Sequence, residues 1–170
     1  LVASMVLLDS HDTARMRTVV NGDKKAHLSA MTAMLTYPGV PSIFAGDEIG
    51  LEGSWGEDSR RTINWEDRSG WDHDFLAEAK KLIELRRTQD GLIEGGLRWV
   101  AVEDNFICYL RESEKQSVLV FISRKAVRTE IDLADYGYKV SKTLYGPEAT
   151  GGSIKIDADG ATQGIWEVKS

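Results

Sequence analysis

Leu1 to Leu8 carries no charge, glycine or proline, and such a run limits what the chain can fold into. An apolar stretch of this length without polar alternation predicts a strand buried on both faces, as in a parallel sheet wrapped by helices. Polar residues follow at once: Asp9, Ser10, His11 and Asp12. The carboxyl ends of such strands are where α/β barrels and α/β sheets carry their chemistry. Two readings of His11–Asp12 are open at this point. One is a functional pair; the other is a turn in which Asp12 caps its neighbours and His11 is a satisfied polar residue. Spacing alone favours the second.

The first half continues as strand and helix in alternation. Asn21-Gly22-Asp23 reads as a turn and helix cap. Leu28, Met31 and Leu35 then fall at helical spacing over Lys24–Tyr37, which Pro38-Gly39 stops. Pro41–Ala45 is a second short apolar run, ending in Gly46-Asp47-Glu48. A helix between two buried strands is the pattern of a parallel βαβ unit. Gly50–Gly70 is a long polar loop with Trp55 and Trp65, and Trp71 stands just beyond it. Tryptophans need partners for their rings, so Trp65 and Trp71 read as core, and Trp55 as a packing anchor or a sugar-stacking surface. Asp72–Gln89 is a second helix, with Arg86 and Arg87 placed to suit its own dipole.

From Gly91 the pattern changes to short strands separated by polar turns. They span Leu97–Val102, Asn105–Arg111, Gln116–Ser123, Arg128–Leu133, Lys142–Tyr145, Ser153–Ile156 and Gly164–Val168. This predicts an antiparallel β-sandwich over 91–170, after a β/α unit over 1–90, with the boundary near Gln89–Gly95. The sandwich is expected to keep its own core, and the first 90 residues to be loosely held or covered by self-association. Trp99, Tyr109, Phe121, Tyr136, Tyr138, Tyr145 and Trp166 read mostly as core. Pairing on one sandwich face would instead favour a glycan-binding or dimerisation module.

Composition excludes several classes. The chain of 170 residues has a net charge of -6 and no basic block, so nucleic acid is not an expected partner. No apolar run is long enough to span a membrane. The single cysteine, Cys108, alternates with apolar neighbours and reads as a buried thiol. No His, Asp and Glu set has metal-ligand spacing, so no metal or other cofactor is expected. The opening run has neither a basic leader nor an initiating Met, so the chain looks cut from something longer, and the cytoplasm is the expected compartment.

Three strings taken together sharpen the reading: Leu7-Leu8-Asp9-Ser10-His11-Asp12-Thr13-Ala14-Arg15, then Pro38-Gly39-Val40-Pro41-Ser42-Ile43-Phe44-Ala45-Gly46-Asp47-Glu48, then Asp58-Ser59-Arg60-Arg61…Trp65. The chain resembles the last two β/α units of the α-amylase family of glycoside hydrolases, followed by that family's carboxyl-terminal domain. The resemblance implies an α+β fragment: two units of a (β/α)8 barrel at 1–90, then a sandwich at 91–170. It implies a retaining mechanism acting on an α-linked glucan or maltooligosaccharide through three carboxylates. The third of these maps to Asp12, a transition-state stabiliser, and the sugar-binding His beside it to His11. Ser10, where the family often has Asn, is similar to neopullulanase, cyclomaltodextrinase and maltogenic amylase, and points to short or cyclic α-glucans. Arg60 matches a loop arginine that reaches the next sugar, although its acidic partner four residues earlier falls on Gly56. Some relatives bind calcium elsewhere. The resemblance supplies neither nucleophile nor general acid here, so the fragment alone is expected to be inactive. Beside these, Asp47, Glu48 and Arg15 read as structural pairs at the rim, and His27 and His73 as packing or surface residues.

Overall fold

A computed structural model describes residues 4–170, so the start of the opening run, Leu1–Ala3, lies outside the described residues. Among the described residues of the run, Met5–Val6 form strand β1, paired in parallel with β2, Val40–Pro41. Both the extent of that strand and its burial on two faces are corrected: Met5 is 65% exposed and Leu7 41%. Val6, Leu8 and Ile43 pack inward against the helices. Alternate residues point the other way, where two short strands offer nothing to cover them. The second strand also begins earlier than expected and ends at Pro41, after which the Ser42 amide makes a last bond to the Val6 carbonyl at 2.8 Å.

The connecting helix forms as the spacing predicts. A short helix α1, Met16–Val19, not anticipated from the sequence, precedes α2, Lys24–Thr36. Asp23 caps α2 by accepting from the Ala26 amide at 3.1 Å. Helix α3 runs over His73–Thr88, capped by Asp72, and α4 over Asp90–Glu94. Arg86 and Arg87 lie in the last turn of α3, as expected, and Arg86 also serves a second helix. Its guanidinium donates to the carbonyls of Leu35, Tyr37 and Gly39, at the carboxyl end of α2. Helix packing brings those carbonyls within reach of Arg86.

Seven strands follow at the expected places: β3 (Gly96–Val102), β4 (Phe106–Glu112), β5 (Ser117–Ser123), β6 (Val127–Asp132), β7 (Lys139–Tyr145), β8 (Ser153–Ala158) and β9 (Thr162–Lys169). Five make one antiparallel sheet in the order β3-β4-β5-β9-β7, and β6 pairs with β8. Both faces of the large sheet are covered. Tyr109, Val118, Val120, Ile122 and Ile165 meet Met31, Met34, Leu35, Phe75, Ala79 and Leu82 of α2 and α3. Cys108, Leu110, Leu119, Phe121 and Trp166 meet Ile131, Ile154 and Ile156 of the β6–β8 ribbon. This double cover explains why β5 is apolar at every central position instead of alternating. The first of these cores is built jointly from residues before and after 91. Gly164 is required by the second core: a Cβ there would fall 2.0 Å from the Trp166 ring.

Cys108 is fully buried and its thiol is pushed up to about 12 by that burial. Tyr109, Phe121 and Trp166 are fully buried, and Tyr136, Tyr138 and Tyr145 partly so, while Trp99 is half exposed. Trp65 is a correction: it is 60% exposed, because its edge-on contact with Trp71 at 5.4 Å covers only part of the indole.

Candidate functional site

The segment after β1 folds back on itself. Ser10 Oγ accepts from the Asp12 amide at 3.2 Å, and Thr13 Oγ1 accepts from the Ser10 amide at 2.9 Å. These short side-chain bonds hold a tight turn with His11 and Asp12 at its tip. Both side chains stand in solvent, 63% and 67% exposed, with His11 Nε2 3.2 Å from Asp12 Oδ2.

Arg60 reaches the same tip from the 3-10 helix Gly56–Arg60. Its Nε donates to the His11 carbonyl at 3.0 Å, and its Nη2 lies 3.3 Å from Asp12 Oδ1. The structure therefore brings His11, Asp12 and Arg60 together across 48 residues. Gly56 supplies no acid, but Glu57 does: Arg60 Nη1 meets Glu57 Oε1 at 3.0 Å, three residues apart instead of four. Glu57 was missed because the expected spacing pointed one residue away. The loop itself is pinned by Asp58, which accepts from the Ser54 amide at 2.6 Å and pairs with Arg61. Trp55, at the outer end of this loop, is exposed.

Beneath the tip lies a buried arginine. Arg15 donates to the carbonyls of Ser59 and Ala45 and to Asp47 Oδ1, each at 2.9 Å, with its guanidinium 3.8 Å above the Phe44 ring. It thus ties together the turn after β1, the strand-end loop after β2 and the loop carrying Arg60. Ser59 Oγ donates onward to the His11 carbonyl at 3.1 Å. Gly46, at φ 107°, is needed here, since a Cβ would press on Arg15 and Leu51. Asp47 pairs with Arg15, and Glu48 accepts from the Gly46 amide at 2.8 Å, so both acids hold the rim. Ser59 and Asp9 had no distinguishing signal in the sequence. Each looks like an ordinary polar loop residue until the tertiary contact is made.

A second polar cluster sits behind the first. Arg17 Nε donates to His27 Nδ1 at 3.1 Å and Arg17 Nη1 to Asp72 at 3.0 Å, with Lys24 on the same carboxylate at 2.9 Å. His27 is fully buried and stacks on Phe75. Burial and then the neighbouring Arg17 charge lower its pKa from 6.5 to about 4. The folded chain therefore binds fewer protons at His27 than the unfolded chain between those values. Stability is expected to fall as pH drops through that window. Thermal melts of His27→Gln, which keeps a polar atom for Arg17, should show a shallower loss there; an unchanged slope would exclude His27 as the source. The cluster borders a cleft of about 890 Å³ lined in part by Thr62, Asn64, Trp71 and His73.

Among the described residues, no group of three His, Cys, Asp or Glu side chains is placed to hold a metal ion, and no helix is long and apolar enough to cross a membrane.

Comparison with known proteins adds a family. Residues 2–84 match the alpha-amylase catalytic domain. Over 119 residues the chain is 38% identical to a cyclomaltodextrinase of Bacillus sp, covering 69% of this chain and 21% of that protein. Over 132 residues it is 33% identical to an intracellular maltogenic amylase of Bacillus subtilis, covering 76% and 22%. The chain thus spans about a fifth of the length of these relatives. The native form of the Nostoc punctiforme debranching enzyme superposes with a TM-score of 0.83 at 28% identity, over 97% of this chain and 35% of that one.

Proposed function

Because the chain belongs to the α-amylase family of glycosidases, we propose that it is the carboxyl-terminal part of a retaining enzyme that hydrolyses or transfers α-1,4 or α-1,6 glucosidic links. In this reading residues 1–90 are the last two β/α units of a (β/α)8 barrel and 91–170 an all-β sandwich domain. Asp12 stabilises the transition state. His11 and Arg60 bind sugar hydroxyls. The observation that carries the proposal is the Asp12 carboxylate itself: it stands in solvent at the end of a parallel strand, with an imidazole and a guanidinium on either side.

The chemistry follows from that placement. As the glycosidic bond breaks, the sugar ring flattens and positive charge builds at its anomeric carbon. A fixed carboxylate nearby is stabilising in that state more than in the ground state. Arg60 limits where Asp12 can point and presents further donors to hydroxyls on the next sugar. The nucleophile and general acid lie elsewhere in the longer enzyme, so this chain alone has no complete set. Exposed Met5, Leu7 and Val40 on the β1–β2 pair fit coverage by the preceding barrel strands, or self-association when those are absent. The cytoplasm is the proposed compartment, supported by the likeness to an intracellular amylase.

The test is a reducing-sugar assay on the purified chain with maltotriose, cyclodextrin and pullulan. No release is expected. Release that disappears in Asp12→Ala would overturn the fragment reading, because it would mean that the chain holds a whole catalytic set.

A further inference from the structure

The His11 and Asp12 side chains stand in solvent, so packing does not aim them and their backbone must. The His11 carbonyl belongs to the planar peptide that leads into Asp12. Two donors face this one carbonyl: Arg60 Nε at 3.0 Å and Ser59 Oγ at 3.1 Å. The Ser59 hydroxyl has a single proton and also stands 2.8 Å from the Gly56 carbonyl, so it serves one carbonyl at a time. Ser59 and Arg60 are consecutive, and the carbonyl of the peptide that joins them accepts from Arg15 Nε at 2.9 Å. One peptide is thus held by Arg15, and the two residues that flank it hold the other.

Arg15 is fixed by side chain and backbone alike. It is 1% exposed. Its Nη1 serves the Ala45 carbonyl and the buried Asp47 carboxylate, and its guanidinium lies over the Phe44 ring. Its own amide donates to the Gly53 carbonyl at 2.9 Å, near the start of the loop that carries Ser59 and Arg60. A rigid planar fork spread over three acceptors is not reproduced by an ammonium group.

We propose that Arg15 is a positioning residue for the sugar site: by holding the Ser59–Arg60 peptide it sets the His11–Asp12 peptide, and with it the direction in which the Asp12 carboxylate and the His11 ring are presented. Arg15 lies beneath the tip and does not itself touch substrate. This deepens the reading of the tip as a sugar site and rests on it for the consequence in catalysis.

The geometry is read first in the isotope-labelled chain by NMR, without any sugar. The Arg15 Nε–H should exchange slowly with water and show a coupling through the hydrogen bond to the Ser59 carbonyl carbon. Arg15→Lys keeps a cation for Asp47 but has one nitrogen for three acceptors. Its His11 carbonyl carbon signal should move, while the signals of Trp166 in the second core stay. In the longer enzyme the same variant should lose about 10–10²-fold in kcat on a maltooligosaccharide, the scale of a misplacement of ~1 Å, with KM changed far less. A purely structural role would lower Tm and leave kcat per folded molecule unchanged, and that outcome would overturn the proposal. So would an absent coupling in the wild-type chain, a measurement that needs no variant to fold. If Arg15→Lys does not fold, Ser59→Ala decides, because it keeps the carbonyl for Arg15 and removes one of the two donors to His11. The His11 signal should again move and kcat fall several-fold; an unmoved signal with full kcat would overturn the proposal. A wild-type longer enzyme inactive on glucans would overturn the sugar-site reading and its catalytic consequence, while the coupling and the carbonyl shift would still support the positioning of the tip.

Discussion

Asp12→Asn, made in the full-length enzyme proposed above, is expected to lower kcat by at least ~10²-fold while changing KM far less. Asn has nearly the same shape as Asp and still bonds to sugar hydroxyls, so ground-state binding is largely kept. What it lacks is charge, and charge matters most when the ring becomes cationic. The surrounding geometry favours a clean result. The turn is held by Ser10 and Thr13 and by the link from Ser59 to the His11 carbonyl, none of which uses the Asp12 side chain. The Arg60 contact to Asp12 will weaken, but Arg60 keeps the His11 carbonyl and Glu57. Steady-state kinetics on a maltooligosaccharide is the measurement. A variant with near-normal kcat would show that Asp12 is not the stabiliser; a rise in KM alone would make it a binding residue.

Arg111→Ala is expected to destabilise the chain by about 3–5 kcal/mol, a fall in Tm on the order of 10 °C. Arg111 is 1% exposed and pairs with no acid among the described residues. Its guanidinium instead donates to the carbonyls of Thr36, Leu92 and Gly95, at the carboxyl ends of α2 and α4. Burial, and then the nearby Arg86 charge, lower it to about 10, so it remains charged at neutral pH. A cation among helix-terminal carbonyls is favourably placed. Its removal leaves those carbonyls buried and unpaired, each at a cost of about 1–3 kcal/mol. Urea melts should show the loss as a single transition, because Arg111 joins β4 to helices on both sides of residue 91 and the first core is shared across it. A loss below about 1 kcal/mol would mean that water or a shift of α4 satisfies the carbonyls. Two separate transitions would mean that the halves fold independently.

The elements that local physics controls were legible in the sequence. Helices α2 and α3 follow from apolar spacing, and the start of α2 from the cap at Asp23. The seven later strands follow from short apolar runs between polar turns. His11 and Asp12 stood out only by resemblance, since a polar pair at a strand end is also an ordinary turn. Arg15 and Asp47 could be read as a structural pair because both fall in rim positions of the resembling motif. Glu57 could not, because a 3-10 helix brings a partner round after three residues and the expected spacing was four.

What the sequence determined by itself is periodicity, capping and chain order, which depend on neighbours a few residues apart. Tertiary structure decided the rest, because it depends on which distant groups share a buried volume. It left Met5 and Leu7 facing solvent, since among the described residues β1 has a single strand beside it and a cover on one side. It assigned Arg86 and Arg111 to the end of α2, since buried carbonyls take the nearest donors irrespective of chain position. It set Asp47 against Arg15 under the site, where the cost of burying a charge, not any local pattern, demands an opposite partner.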